Sequence, residues 1–394
     1  MTVVQLYNLV NTITDEITGG SAVVNEDLSN VVDIGRAIFD ATNVDNYVKT
    51  LVDHIGKVIF VNRAYSGSAP SVLMDGWEFG SVLEKIQVEM PDAVENDDWD
   101  LTDGASYDPN VFHKPVVSAK FFNSKVTFEI DVSFTEMQVR ESFSSVAQLN
   151  GFVSMIYNSV DKSMTVKVDG LIARTINNFV GQTLNDEYPD PLNTTPYANA
   201  TGVRAINLLK MYNDQFSAAL TASDCLTNAD FIRYATMQIG LVTDRFKKMS
   251  KVYNIGSKER FTPEDMQHMI LLAEFDKASR AYLMSDTFHN DFVALPAHEV
   301  VPYWQGSGTS YAFTSTSAID IKILDPTDNT STITVSCDGI IGCLFDRDAL
   351  GVTNYERRVT SHFNGKASFY NNFYKMDSAY FNDFNENFVV FFVA

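Results

Sequence analysis

The chain has 394 residues, 45% apolar and 20% charged, which is enough for two or more packed lobes. Its formal net charge of -21 excludes nucleic-acid binding over the whole surface, because gripping duplex phosphate takes basic contacts. The same charge favours solubility and makes association between copies sensitive to salt.

Residues 1–56 read as an arm that ends in a helix. Val3, Leu6, Tyr7, Val10, Ile13 and Ile17 recur at helical spacing, interrupted by Asp15 and Glu16. No basic start or cleavage site accompanies them, so an amphipathic helix is expected and not a leader. Asn43 caps a second helix with Val44, Tyr47, Val48, Leu51, Val52 and Ile55 on one face. Two such helices make no core alone and need a surface to lie on.

Residues 57–135 change character. Lys57 to Val61 reads as a strand, and Gly67, Pro70, Gly76 and Gly80 then break the chain. Residues 89–108 hold eight acidic side chains and no basic one. The chain returns through Val116 to Phe122. Val126, Phe128, Ile130, Val132 and Phe134 then alternate with polar residues, as in a half-buried strand. The region reads as a long two-stranded excursion with a charged tip. An isolated hairpin is marginal in water, so this one is expected to lie against another subunit.

The strongest helical signal lies in residues 136–188. Apolar residues from Val146 to Phe179 recur every three or four positions, with no proline between Pro115 and Pro189. Unbroken, such a helix runs roughly 50 Å. Thr165, Val166 and Val168, followed by Gly170, are poor helix formers and allow a split. The pattern fits equally a core helix of a bundle and a spine tying together a flat molecule.

Residues 189–254 open with a loop, Pro189 to Thr201. Two helices follow, marked by Ile206, Leu209, Tyr212, Phe216 and Leu220, then by Phe231, Tyr234, Met237, Leu241 and Phe246. Lys247, Lys248 and Lys251 sit where the second helix dipole favours cations. Thr262 to Asp265 signals a turn or helix start, and Met269 to Leu272 is open between a buried strand and a helix. Lys277 to Phe288 reads as a helix. Ile319, Ile321 and Ile323, then Ile333, Val335 and Cys337, alternate around the loop Asp325 to Thr330, which makes a hairpin. After Gly342 to Val352 comes a segment crowded with Tyr, Phe and Asn. The final run Phe388 to Ala394 is so apolar that a buried strand is expected.

No motif for chemistry emerges. His54, His113, His268, His289, His298 and His362 form no HExxH or similar pairing. Gly19 to Val23 fails as a nucleophile elbow, and Tyr311 stands at the third glycine position of a GxGxxG match beginning at Gly306. An EF-hand counted from Asp98 places Asp103 at the glycine position and Pro109 at the glutamate position. The acidic loop therefore reads as solvated or partner-facing, with a loose calcium site the lesser alternative. Cys225, Cys337 and Cys343 are odd in number, in neither CxxC nor zinc spacing, and read as reduced and structural. Asn193, Asn199 and Asn329 head glycosylation sequons that read as chance matches. No apolar run approaches a membrane span. Catalytic, cofactor-binding and metal residues are therefore expected to be none.

The segment Leu51 to Val58, with Met74 to Gly80 and Glu89 to Pro91 downstream, is similar to capsid proteins of small short-tailed phages. Phe345 to Ala349 with Arg357 to Thr360 is similar as well, and the end of the chain resembles that of tailed-phage major capsid proteins. The resemblance covers nearly the whole chain. It implies an α+β, Hong Kong 97-type capsid fold: 1–56 as N-arm, 57–135 as extended E-loop with flanking strands, 136–188 as peripheral domain with a long spine helix, 189–350 as mainly axial domain, and 351–394 as a return to the peripheral domain. It implies a non-enzymatic major capsid protein that self-assembles through hexamers and pentamers into an icosahedral or prolate shell. The shell would enclose phage double-stranded DNA without sequence-specific binding. Scaffolding protein and portal would be partners, membranes would not, and virion shells would be assembled in the bacterial host cytoplasm. An encapsulin-like compartment is the first alternative and a secreted carbohydrate-binding or adhesive protein the second. In the capsid fold a neighbour's E-loop rests on the peripheral domain's return. Asp97, Asp98 or Asp100 are therefore expected to meet Arg357 or Arg358 of an adjacent subunit.

Overall fold

The computed structural model describes residues 7, 10–12, 14, 24–25, 29–40, 50, 69–74, 83–91, 93, 101–105, 110, 112–188, 201–284, 295–302, 304, 319–324 and 330–394. In chain order these form α1 (Val31–Asp40), β1 (Leu83–Val88), β2 (Val117–Phe122), β3 (Lys125–Thr135), α2 (Glu136–Ser142), α3 (Val146–Glu187), β4 (Ala205–Asn207), α4 (Leu208–Phe216) and α5 (Ala229–Phe246). After them come β5 (Gln267–Leu272), α6 (Ala273–Met284), β6 (Glu299–Val301), β7 (Ile319–Leu324), β8 (Thr332–Cys337) and β9 (Ile340–Asp346). The chain closes with β10 (Leu350–Asn364), β11 (Phe369–Asn382) and β12 (Phe388–Phe392). The strands build two ribbons, β1-β2 and β7-β8, and two larger sheets in the orders β10-β11-β3 and β4-β12-β9-β5-β6.

Helix α3 is one unbroken element of 42 residues, about 63 Å at 1.5 Å per residue. The split allowed at Thr165 to Gly170 does not occur. Val160, Met164, Val168, Leu171 and Ile172 are all buried on one side, and that burial outweighs the fractions of a kcal/mol by which threonine and valine disfavour helix. The hydroxyls of Thr165, Thr175 and Thr183 donate to the carbonyls four residues earlier, so these three groups are satisfied within the helix. Ser145 caps the start, accepting from the Gln148 amide. The helix touches β3, β10 and β11, then β12, β4, β7 and β8, so it acts as a spine under three sheets. Phe152 meets Phe134 of β3 edge to face, Phe179 stacks on Phe388 of β12, and Gly181 lets β7 approach so closely that an added Cβ would lie 2.7 Å from Ile321.

The C-terminal run is the expected buried strand. It lies between β4 and β9, and all five of its residues are buried. Met269 to Leu272 resolves as strand, in β5. Thr262 to Asp265 leads into a short 3-10 turn, Glu264–Met266. Ile319 to Cys337 is the antiparallel hairpin its alternation called for. The long pair β10–β11 was not expected, and it divides the tail: residues 350–382 join β3, whereas β12 serves the five-stranded sheet. Of the helix expected over residues 1–17, Tyr7, Val10, Asn11, Thr12 and Thr14 are described, all helical. Val10, Val24 and Ile34 join the main core, and Gly35 sits against Phe143, so this arm has its surface within its own chain. The expected helix from Asn43 is described only at Thr50, and the strand at Lys57 to Val61 lies outside the described residues.

Candidate assembly surface

The ribbon β1-β2 pairs Leu83 with Phe122 at its root and Val88 with Val117 at its far end. Side chains alternate between the two faces of a strand. One face of this ribbon carries Leu83, Lys85, Gln87, Lys120 and Phe122 and turns toward the body; the other carries Ile86, Val88, Val117 and Phe121, with Glu84 as its one charge. Ile86, Val88, Val117 and Phe121 are 65%, 58%, 56% and 62% exposed, and Met90, Val116 and Phe112 extend the apolar surface beyond the strands. This is the reverse of an ordinary half-buried ribbon, whose apolar face lies on the core. Full burial of such side chains contributes about 1.5–3 kcal/mol each, so the outward face stores binding energy that the isolated chain does not use.

What fixes the inward face is charge. The Asp383 side chain is fully buried, with Lys120 Nζ at 3.0 Å and Lys85 Nζ at 3.2 Å, one lysine from each strand. Lys85 also reaches Glu386 at 4.0 Å and donates to the Asp348 carbonyl oxygen; Arg260 approaches Glu386 at 3.1 Å. Burial pushes the Glu386 carboxyl above its ordinary value, against the pull of Arg260 and Lys85. Further out, Lys258 donates to Glu89 at 2.6 Å. The Phe122 ring lies 5.3 Å from that of Phe381. Buried ion pairs add little net stability over apolar packing, but removing one partner costs about 3–5 kcal/mol. Their effect here is to hold the ribbon at one angle to the body.

Of the expected contact residues, the two arginines lie in a described strand. Asp97, Asp98 and Asp100 lie outside the described residues. Arg357 and Arg358 are neighbours in β10, opposite Met376 and Lys375. Arg358 donates to Asp377 Oδ2 at 2.7 Å within its own sheet; the Arg357 side chain is outside the description. The clamp residues Lys85, Lys120, Asp383 and Glu386 were missed by sequence reasoning. The only signal was two lysines set among alternating apolar residues; their carboxylate partners come more than 250 residues later.

Among the described residues, no group of histidines, cysteines and carboxylates could hold a metal, and no helix is long and apolar enough to cross a membrane. The three cysteines are unpaired and buried. Burial pushes the Cys225 and Cys337 thiols up to about 12, and Cys343 upward as well.

A sequence model of the Phi29-like phage major capsid protein family matches residues 8–392. The chain belongs to this family. It is therefore a shell-forming major capsid protein, with its place in the virion capsid, and the match does not favour the encapsulin-like alternative. The fold agrees: the capsid structure of Staphylococcus phage Andhra superposes with a TM-score of 0.51 at 9% identity, over 84% of this chain and 86% of that one. This is the α+β, Hong Kong 97-type capsid fold. The mature capsid of bacteriophage PhiM1 gives 0.44 at 9% identity over 84% and 89%, and Mycobacterium phage Che8 gives 0.40 at 11% over 84% and 92%. No curated protein matches the chain in sequence.

Proposed function

We propose that the subunit assembles through hexamers and pentamers into a closed icosahedral or prolate shell around double-stranded DNA, and that it works by surface complementarity without enzymatic chemistry. The observation that carries this reading is the ribbon β1-β2, whose largely apolar face is turned outward while its lysine-bearing face is pinned to the body. A second copy of the chain is the occupant such a face calls for in a shell-forming family. A chain of charge -21 suits enclosure of DNA without sequence-specific grip. Scaffolding protein and portal would guide assembly in the bacterial host cytoplasm.

In this reading residues 1–56 form the N-arm and residues 57–135 the E-loop with its flanking strands. Residues 136–188 form the peripheral domain with α3 as its spine, 189–350 mainly the axial domain, and 351–394 a return toward the peripheral domain. The acidic segment carrying Asp97, Asp98 and Asp100 docks on a basic surface of an adjacent subunit. Arg357 and Arg358 are one such surface, with Arg358 shared with Asp377. Each exposed pair contributes only about 0–1 kcal/mol, but the lattice repeats it in every subunit. Expression alone or with a phage scaffolding protein, followed by electron microscopy, tests the reading. Closed shells, tubes or sheets are expected; a compact monomer under every such condition would contradict it.

A further inference from the structure

Residues 245–260 carry six cations and a single anion, Glu259, in a chain of charge -21. The segment leaves the C-terminal end of α5, where the helix dipole favours positive charge. Some of these cations are already used: Lys247 by Asp244 and Glu264, Lys258 by Glu89, and Arg260 by Glu386. Lys251 is well exposed, with Glu259 at 3.1 Å. Arg245 and Lys248 are exposed and make no ion pair among the described residues. Between this segment and the ribbon lies a cleft of about 460 Å³, lined by Val88, Met90, Met249, Lys251, Lys258 and Phe261 among others. Met249, Phe261 and the adjacent Val252 are exposed.

The cations lining the cleft are already paired, but Arg245 and Lys248, close in sequence to its Met249, have no ion pair among the described residues and lie near bare apolar side chains. A nucleic-acid backbone would match the charge but leave Met249, Val252 and Phe261 in water. A peptide that mixes carboxylates with apolar groups matches both. Residues 89–108 of this same chain have that composition: eight acidic residues, no basic one, and Val94, Trp99 and Leu101 among them. Within one chain Glu89 already occupies Lys258 and Glu259 lies against Lys251, which leaves Arg245 and Lys248 for another copy and Lys251 to be shared.

We propose that the acidic segment of a second copy docks in this cleft, its carboxylates on Lys251 and the neighbouring Arg245 and Lys248, its apolar side chains on Met249, Val252 and Phe261. The inference rests on the shell reading and names the basic surface that the acidic segment seeks, in preference to Arg357 and Arg358. A segment of one copy in the cleft of the next is a head-to-tail contact, the kind that closes into rings.

The test uses shells assembled from an equal mixture of isotopically light and heavy full-length chain, treated with a carbodiimide that condenses a lysine amine with a carboxylate in contact. Mass spectrometry is expected to find Lys248 or Lys251 joined to residues 92–103, with light–heavy pairs as abundant as same-isotope pairs. The Glu89–Lys258 pair, 2.6 Å apart within one chain, gives same-isotope products and serves as the internal control. Lys248→Arg with Lys251→Arg should keep assembly and lose these crosslinks, whereas Lys248→Glu with Lys251→Glu should weaken assembly as well. Shells that yield only same-isotope pairs, or none at these lysines, overturn the inference alone. Protection of Lys248 and Lys251 from acetylation only in DNA-filled shells assigns the surface to nucleic acid and overturns it too. A chain that forms no shell overturns the shell reading and the inference with it.

Discussion

Strand β12 and the ribbon β1-β2 are both rich in large apolar side chains, yet the fold treats them oppositely. Phe388, Val389, Val390, Phe391 and Phe392 are sealed between β4 and β9, with Phe388 stacked on Phe179 of the spine helix. Ile86, Val88, Val117 and Phe121 face water, and the ribbon is held instead by Lys85 and Lys120 on buried Asp383. In β12 the hydrophobic term is spent inside the chain and sets its stability. In the ribbon it is withheld, and charge does the positioning. Fold stability and assembly strength should therefore be separable by mutation.

The largest effect should come from the sealed strand. Phe391→Ala is expected to destabilise the subunit by about 3–5 kcal/mol, measured by denaturant unfolding, because a large cavity opens in a packed sheet. If the loss is under about 1 kcal/mol, β12 is not the core element its burial indicates. Asp383→Ala strands two lysines at the root of the ribbon. A loss of about 3 kcal/mol is expected, at the low end for a broken buried pair because Lys120 keeps partial access to water. Hydrogen exchange should show faster amides in residues 83–88 and 117–122 with the five-stranded sheet unchanged. Uniform loss of protection would mean that the clamp serves the whole fold.

Outward substitutions sharpen the contrast. Ile86→Ser with Phe121→Ser is expected to change unfolding free energy by about 0.5 kcal/mol or less, as at other exposed sites, yet to abolish or strongly impair shell formation. A variant that assembles as the parent does would remove the ribbon from the contact surface. The smallest expected effect concerns Asp346, buried at the end of β9 and bonded by Thr262 Oγ1 and the Asp348 amide. Burial raises its carboxyl above the ordinary 3.8, so the folded chain holds this proton more tightly than the unfolded one. The linked stability is complete below about pH 3.8 and is lost as the pH rises through the raised value. Asp346→Asn removes that slope. Its Tm relative to the parent should be higher at neutral pH than at acid pH; a constant difference would show that Asp346 does not titrate in this window.

How much was legible follows from which term fixes each element. Strand β12 was legible because consecutive apolar residues have few alternatives to burial on both faces. The hairpin β7–β8 was legible because isoleucines alternate cleanly with Asp320 and Lys322. The existence of α3 was legible from its period, but its continuity was not, because propensity at Thr165 to Gly170 argued for a break and only tertiary burial overrode it. The pair β10–β11 was hidden by polar residues at inward positions. Asn372 is fully buried and donates to the Val132 carbonyl, Ser378 is buried and donates to Asn354, and a bulge at Asn354 to Glu356 shifts the register. The clamp was illegible because its halves are joined only by folding. The expected pairing to Arg358 drew on a family pattern; that Asp377 of the same chain stands across the sheet from Arg358 had no signal in the sequence.

The central claim, that the outward face of the ribbon is covered by another copy, is tested most directly by one introduced thiol. Cys225, Cys337 and Cys343 are buried with raised thiols and should stay silent under native conditions. Ile86→Cys, on the outward face and away from the cleft, therefore reports alone. Its maleimide labelling rate, measured on unassembled subunits and on shells of the same variant, should be fast in the first and strongly suppressed in the second. Equal rates in both would contradict the account.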